Sequence, residues 1–169
     1  YSRSQLLDHV WGGGVYVEQA KFSMLGANSG IFLNNAQGTG DSGYGGGLVV
    51  LAKERNAYAF IGGGLGTTGS IFNNTAQYGG GVAIVGDDGD GTTETESELH
   101  IYPLAGGPPA SIRNNKASIQ GGGIYLRGFS AGSLNEDTKD ARALLWNAEL
   151  RGNSAPSGAA IYADGQDNF

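Results

Sequence analysis

The residues with chemistry to offer are few and unevenly placed. His9 and His100 are the two histidines, and the chain has no cysteine. Neither histidine has a serine or carboxylate at a spacing that marks a nucleophile with its base, so both are expected to be incidental. Without cysteine there is no thiol nucleophile, no disulfide framework and no thiolate metal site. Carboxylates concentrate between Gly86 and Glu98, where Asp87, Asp88, Asp90, Glu94, Glu96 and Glu98 fall within thirteen residues. Such oxygens suit calcium, and Asp87, Asp88 and Asp90 are the candidate ligands. Their spacing does not fit the twelve-residue EF-hand loop, which needs a glycine at its sixth place and a glutamate at its twelfth. A solvated acidic loop with no cofactor is therefore expected. Glycoside hydrolysis needs two carboxylates facing one another about 5 to 10 Å apart. A calcium-dependent lyase needs strand-borne aspartates beside a basic group. Arg113 and Arg151 supply the basic group, but the aspartates read as loop residues. The expectation is a non-enzymatic protein, with a carbohydrate-active lyase or hydrolase as the alternative.

The elements that would position these residues come from a repeat. The stretch Ser70-Ile71-Phe72-Asn73-Asn74-Thr75-Ala76 leads through Gln77 and Tyr78 to Gly79-Gly80-Gly81-Val82-Ala83-Ile84. The same order recurs from Ile31 to Val50 and from Ile112 to Leu126. A worn copy runs from Leu150 to Ala163, and a half copy opens at Gly12. Val15, Leu48, Val82, Ile124 and Ile161 are equivalent, at intervals of 33, 34, 42 and 37 residues. Repeats of this length indicate a solenoid, a propeller or an array. Val82/Ile84 and Ile124/Leu126 alternate with period two, which is the signature of strand. Three short strands fit each repeat: one after the glycines, one in the middle (near Lys21–Leu25, Tyr58–Ile61, Leu99–Leu104 and Ala143–Asn147), and one ending at the Asn. Three strands per repeat predict an all-β, right-handed, three-sided parallel β-helix of about four to five turns. A propeller blade would need a fourth strand.

Each conspicuous column then has a structural reading. The glycines allow tight corners and close approach of stacked turns. Asn34, Asn74, Asn115 and Asn153 would stack about 4.8 Å apart, close enough for an amide ladder. Trp11, Tyr44 and Tyr78 sit just before the glycines and are expected to cover their bare backbone. With Ile31, Ile71, Ile112 and Leu150 inward, Phe32, Phe72, Arg113 and Arg151 form an outward column, the candidate binding face. Leu51 and Val85 form another half-apolar outward column, and Arg127 and Asp164 are expected to pair. Residues 1–11 fit the repeat poorly and read as an N-terminal cap or the remnant of a preceding turn. Residues 12–169 are the β-helix, with surface loops at 86–98 and 130–140.

Glycine makes up 32 of the 169 residues, and the formal net charge is −6. An acidic chain lacks the basic face that nucleic acid requires. No run of about 20 apolar residues is present to span a bilayer as a helix. The chain begins at Tyr1, which reads as a processed form or a piece of something longer.

The half-motifs Ile71-Phe72-Asn73-Asn74-Thr75-Ala76 with Gly79-Gly80-Gly81-Val82, and Ile112-Arg113-Asn114-Asn115-Lys116-Ala117 with Gly121-Gly122-Gly123-Ile124-Tyr125, resemble the repeat of the chlamydial polymorphic outer-membrane proteins. The likeness spans nearly the whole chain. Two copies carry Arg where the family has Phe, and the family's Gly-Gly-Ala is Gly-Gly-Gly here. The resemblance implies a β-helix, an extracellular or cell-surface location, and an adhesive or structural role, with no catalytic residues to transfer. Glycans are candidate ligands. An uncovered last turn invites pairing, so the C-terminal end is expected to be covered by a partner chain, an identical copy or further sequence.

Overall fold

A computed structural model describes residues 10–25, 29–39, 42–62, 69–86, 95–102, 109–130 and 138–164. Strands alone make up its regular structure, and they stack as a parallel β-helix. The first sheet holds the strands after the glycines: Val15–Glu18, Leu48–Ala52, Val82–Gly86, Ile124–Arg127 and Ile161–Asp164. They pair in parallel, with Val15, Leu48, Val82, Ile124 and Ile161 in one register. The second sheet holds Lys21–Met24, Ala57–Ile61, Thr95–Ile101 and Thr138–Leu145, with Phe129–Ser130 antiparallel on its edge. The third holds Gly30–Phe32, Ser70–Phe72, Ala110–Arg113 and Ala148–Arg151.

A fourth sheet lies between the Asn and the glycines. It comprises Val10–Trp11, Asn35–Ala36, Gly43–Tyr44, Thr75–Tyr78 and Lys116–Gln120. The chain therefore carries four strands per turn where three were expected. The missed strands are short, and bends with positive φ adjoin them. At the Asn end, Leu33, Asn73, Asn114 and Gly152 all have φ between 54° and 63°. At the other, Gly12, Gly45, Gly79, Gly121 and Gly158 have φ between 60° and 66°. That left-handed region is where a Cβ is strained.

The boundaries move accordingly. Val10–Trp11 pairs with Gly43–Tyr44, so these two residues belong to the fourth sheet. The expected loop 86–98 is shorter than that, because Thr95–Glu98 pairs with Lys139–Arg142 and, from Ser97 on, with Ala57–Tyr58 as well, and belongs to the second sheet. Thr138–Asp140 is likewise strand rather than loop.

Two apolar layers result. The inner one combines Leu48, Val50, Val82, Ile84 and Ile124 of the first sheet with Ala59, Ile61, Leu99 and Ile101 of the second and Ile71 and Ile112 of the third, all with at most 2% of their surface exposed. Ser97 closes the corner between the first two sheets: it donates to the Val85 carbonyl at 2.6 Å and accepts from the Ala52 N–H at 2.7 Å. The second layer lies on the outside of the first sheet. Val49, Leu51, Ala83, Val85 and Tyr125 are buried there with Tyr44, and Trp11, Tyr78 and Tyr162 pack against them. Trp11 stacks on Tyr44 at 4.7 Å and Tyr44 on Tyr78 at 4.9 Å. These rings thus cover a strand face as well as adjoining a glycine corner. Gln120 takes the Tyr78 position in the next turn. There Tyr125, from the first sheet itself, supplies the aromatic, 5.1 Å from Tyr78 and 6.0 Å from Tyr162. The ladder changes sheets without a gap.

Candidate binding faces and the amide ladder

The Asn column is internal and saturated. In each step the earlier turn's Asn gives both its backbone N–H and its side-chain Nδ2 to the Oδ1 of the next. Asn34 bonds to Asn74, Asn74 to Asn115, and Asn115 to Asn153, all at 3.0–3.1 Å. The remaining Nδ2 protons of Asn74, Asn115 and Asn153 go to the carbonyls of Ile31, Ile71 and Ile112. Asn74 and Asn115 expose none of their surface. No capacity remains in the middle of this column for a ligand. Ala36 and Ala76 are completely buried and Ala117 nearly so, which explains the small residue two places after the Asn.

The column Phe32, Phe72, Arg113 and Arg151 is aligned on the outside of the third sheet by strand register. Phe32 and Phe72 stack at 4.9 Å with ring planes 10° apart, and the Arg113 guanidinium lies 4.5 Å from the Phe72 ring centre. That geometry is a cation–π contact. Arg151 stands beside Arg113, with its Nε 3.5 Å from the Glu149 carboxylate. Phe32 is half exposed and the adjacent Leu33 is 72% exposed. The face is thus apolar towards the N-terminal turns and cationic towards the C-terminal ones. The other half-apolar column, Leu51 and Val85, is buried and offers no surface.

The second sheet carries an outward cluster that strand-by-strand reading missed. Glu96 and Asp140 are register partners on neighbouring turns, and Glu98 pairs with Arg142. Arg142 reaches Glu96 at 3.0 Å, Asp140 at 2.7 Å and Glu98 at 3.6 Å. Partial burial opposes its charge, but Asp140, Glu96 and Glu98 outweigh that and raise its pKa. An acidic pair on adjacent strands therefore exists, contrary to expectation, but one guanidinium bridges it. His100 also has an acid partner. Its Nε2 lies 2.5 Å from Glu98, its Nδ1 is 3.0 Å from the Tyr102 hydroxyl, and its ring stacks on Phe60 at 4.7 Å. Glu98 and His100 are two residues apart on one strand, where period-two geometry puts them on one face, and Tyr102 follows just past the strand's end. Tyr102 and Trp146 follow at 6.0 Å, and Trp146 is 69% exposed.

Asp164 is register partner to Arg127 but accepts a hydrogen bond from the Tyr125 hydroxyl at 3.1 Å, instead of the expected ion pair. Burial, followed by the negative charge of Asp164 and this bond, pushes the Tyr125 pKa well above its ordinary value. His9 and the calcium candidates Asp87, Asp88 and Asp90 lie outside the described residues. Among the described residues no group of three or more His, Asp or Glu side chains is arranged to hold a metal, and no helix is long and apolar enough to cross a membrane.

Residues 109–127 match the family model of the Chlamydia polymorphic membrane protein repeat. That segment spans Ala110–Arg113, Lys116–Gln120 and Ile124–Arg127, the strands that flank Asn115 and the Gly121–Gly123 corner. The match supports the family resemblance at this repeat. No curated protein and no solved structure matches the chain.

Proposed function

We propose that this chain is a non-enzymatic structural and adhesive β-helix module, displayed outside the cell as part of a surface protein or larger assembly. The observation that carries this reading is the Phe32–Phe72–Arg113–Arg151 column. It is an ordered strip of apolar and cationic groups, exposed at Phe32 and Arg151 and half-buried between them, on a scaffold whose inner polar groups bond to one another. Exposed apolar surface rimmed by charge is characteristic of contact surfaces, and guanidinium groups suit carboxylate- or sulfate-bearing partners.

The test is binding of the chain to immobilised acidic and neutral polysaccharides, compared with a Phe32→Ser/Arg151→Glu variant. Both side chains are exposed, so the variant should melt with the parent. The reading expects retention on an acidic polysaccharide that the variant loses. Equal retention of the two proteins, or none by either, would remove this face from the account.

The carbohydrate-active alternative now has a specific observation behind it: the Glu96/Asp140 pair on the second sheet, and Glu98 and His100 beside it with the Tyr102 hydroxyl. Incubation with the same polysaccharides, with and without calcium, would reveal it as new reducing ends or unsaturated products. The non-enzymatic reading expects neither. It also expects no heat on titration with millimolar calcium.

A further inference from the structure

Among the described residues, few side chains are open to an oxidant. The chain has no cysteine, and its one methionine, Met24, is buried. Of the described tyrosines Tyr16 and Tyr102 are the exposed ones, and Trp146 is exposed beside Tyr102. The two tyrosines differ in what receives the hydroxyl proton. Tyr16 donates to the Glu18 carboxylate at 2.6 Å. That carboxylate is a poor proton acceptor, because the Tyr16 hydrogen bond and then Lys53, at 2.9 Å, hold its pKa below the usual carboxylate range. Tyr102 faces the imidazole of His100 instead, at 3.0 Å.

Hydrogen bonding fixes the tautomer of that imidazole. Glu98 turns one carboxylate oxygen to His100 Nε2 and the other to Arg142. A carboxylate only accepts, so Nε2 carries the proton of the neutral ring. Nδ1 then holds a lone pair, and the Tyr102 hydroxyl donates to it. A base within hydrogen-bond reach of a proton is placed to take it. Imidazole is ordinarily a stronger base than a carboxylate by about two pKa units. The positive charge that the ring would gain lies against Glu98, and Glu96 and Asp140 offset the nearby charge of Arg142. Stacking on Phe60 at 4.7 Å holds the ring in place.

We propose that Tyr102 is a covalent attachment site, primed by Glu98 and His100 for one-electron oxidation and for coupling to a second phenol. The oxidant is a one-electron acceptor, of the kind that a peroxidase forms from hydrogen peroxide. It removes one electron from the phenol as the hydroxyl proton passes to His100 Nδ1. A neutral phenoxyl radical remains beside an imidazolium held by Glu98, and the imidazolium then gives its extra proton to solvent. Two phenoxyls, on Tyr102 of two neighbouring molecules, form a carbon–carbon bond ortho to oxygen. The ring hydrogens at the joined carbons move to the oxygens and restore both phenols. Two electrons and two protons leave in all, and they reduce one hydrogen peroxide to two waters. Trp146, with its ring centre 6.0 Å from that of Tyr102, is close enough to be oxidised first and to draw its electron from Tyr102. The site lies on the second sheet, apart from the Phe32–Arg151 column, and does not depend on what that column binds.

The test oxidises the full chain with photogenerated tris(bipyridine)ruthenium(III), persulfate being the final electron acceptor. Dityrosine emission and covalent dimer are measured, and the joined residues are mapped by peptide mass spectrometry. The parent is expected to dimerise through Tyr102. Tyr102→Phe should lose most of the dimer, and Tyr16→Phe should lose little. His100→Phe keeps a ring to stack on Phe60 but has no base. Its dimer yield should fall towards that of Tyr102→Phe while Tyr102 stays as reactive to N-acetylimidazole as in the parent, which separates the loss of the base from a loss of exposure. Cross-links that map chiefly to Tyr16 or Trp146, or an undiminished yield in Tyr102→Phe or His100→Phe, overturn the proposal. If His100→Phe does not fold, Glu98→Gln takes its place. It removes the charge that holds the imidazolium, and an undiminished yield there overturns the proposal equally.

Discussion

Asn115 is fully buried, yet every polar atom of its side chain is bonded: Oδ1 takes two donors from Asn74, and Nδ2 serves Asn153 and Ile71. Asn115→Ala would leave the Asn74 N–H and one Asn74 Nδ2 proton buried without an acceptor. Each such loss costs about 1–3 kcal/mol, so the variant should be destabilised by roughly 2–5 kcal/mol in denaturant unfolding. Leu33 is the opposite case. Its φ of 58° is strained for a branched side chain that is largely exposed, whereas its counterparts are Asn73, Asn114 and Gly152. Leu33→Gly should therefore raise stability by up to about 1 kcal/mol, the relief of left-handed strain exceeding the added chain entropy. Tyr125 sets a pH limit. Its folded pKa lies above the ordinary 10.0, so the folded state holds this proton when the unfolded state has released it. Stability should be level below that value and fall as pH rises past it, and Tyr125→Phe should reduce the fall. The amide ladder was legible in the sequence because identical residues recurred at one place in every repeat. The Tyr125–Asp164 bond was not, because register alone put Arg127 opposite Asp164, and rotamers decide which neighbour is taken.

At the scale of elements, the glycine trios and the alternation after them were sufficient to place the first sheet. The fourth sheet was hidden because strands of two to five residues beside sharp bends carry no hydrophobic period. Thr95–Glu98 was hidden for a related reason. Read alone it is an acidic run, and it becomes strand through pairing with Ala57–Ile61 and Thr138–Leu145. Context of that kind commonly overrides intrinsic strand preference. The same error concealed the Glu96/Asp140 pair, since carboxylates assigned to a loop cannot be matched across turns. Corner packing gives this scale its prediction. Gly80→Ala would press a methyl against the Lys116 backbone at 2.5 Å in the centre of the stack. Overpacking commonly costs about 1–3 kcal/mol, and here both sides are fixed, so a loss at or above the upper figure is expected in thermal or denaturant unfolding.

For the molecule as a whole, the intervals between repeats pointed to a solenoid, and the stacked parallel sheets have that form. What the faces bind was less legible, because outward residues are released from the repeat and carry no period. The third-sheet column was found because all four copies could be aligned. The second-sheet cluster was missed because its strands had been drawn too short. The central claim is that turns about 40 residues apart in sequence are held directly on one another through the Asn column. Solvent exchange of side-chain amides, followed by NMR, tests it with controls one residue away. Asn74 and Asn115 are buried within the ladder, whereas Asn73 and Asn114 are exposed at the bend. Slow exchange for Asn74 and Asn115 with rapid exchange for Asn73 and Asn114 is the predicted result. Equally rapid exchange at all four would mean that the turns do not stack as described, and would contradict the account.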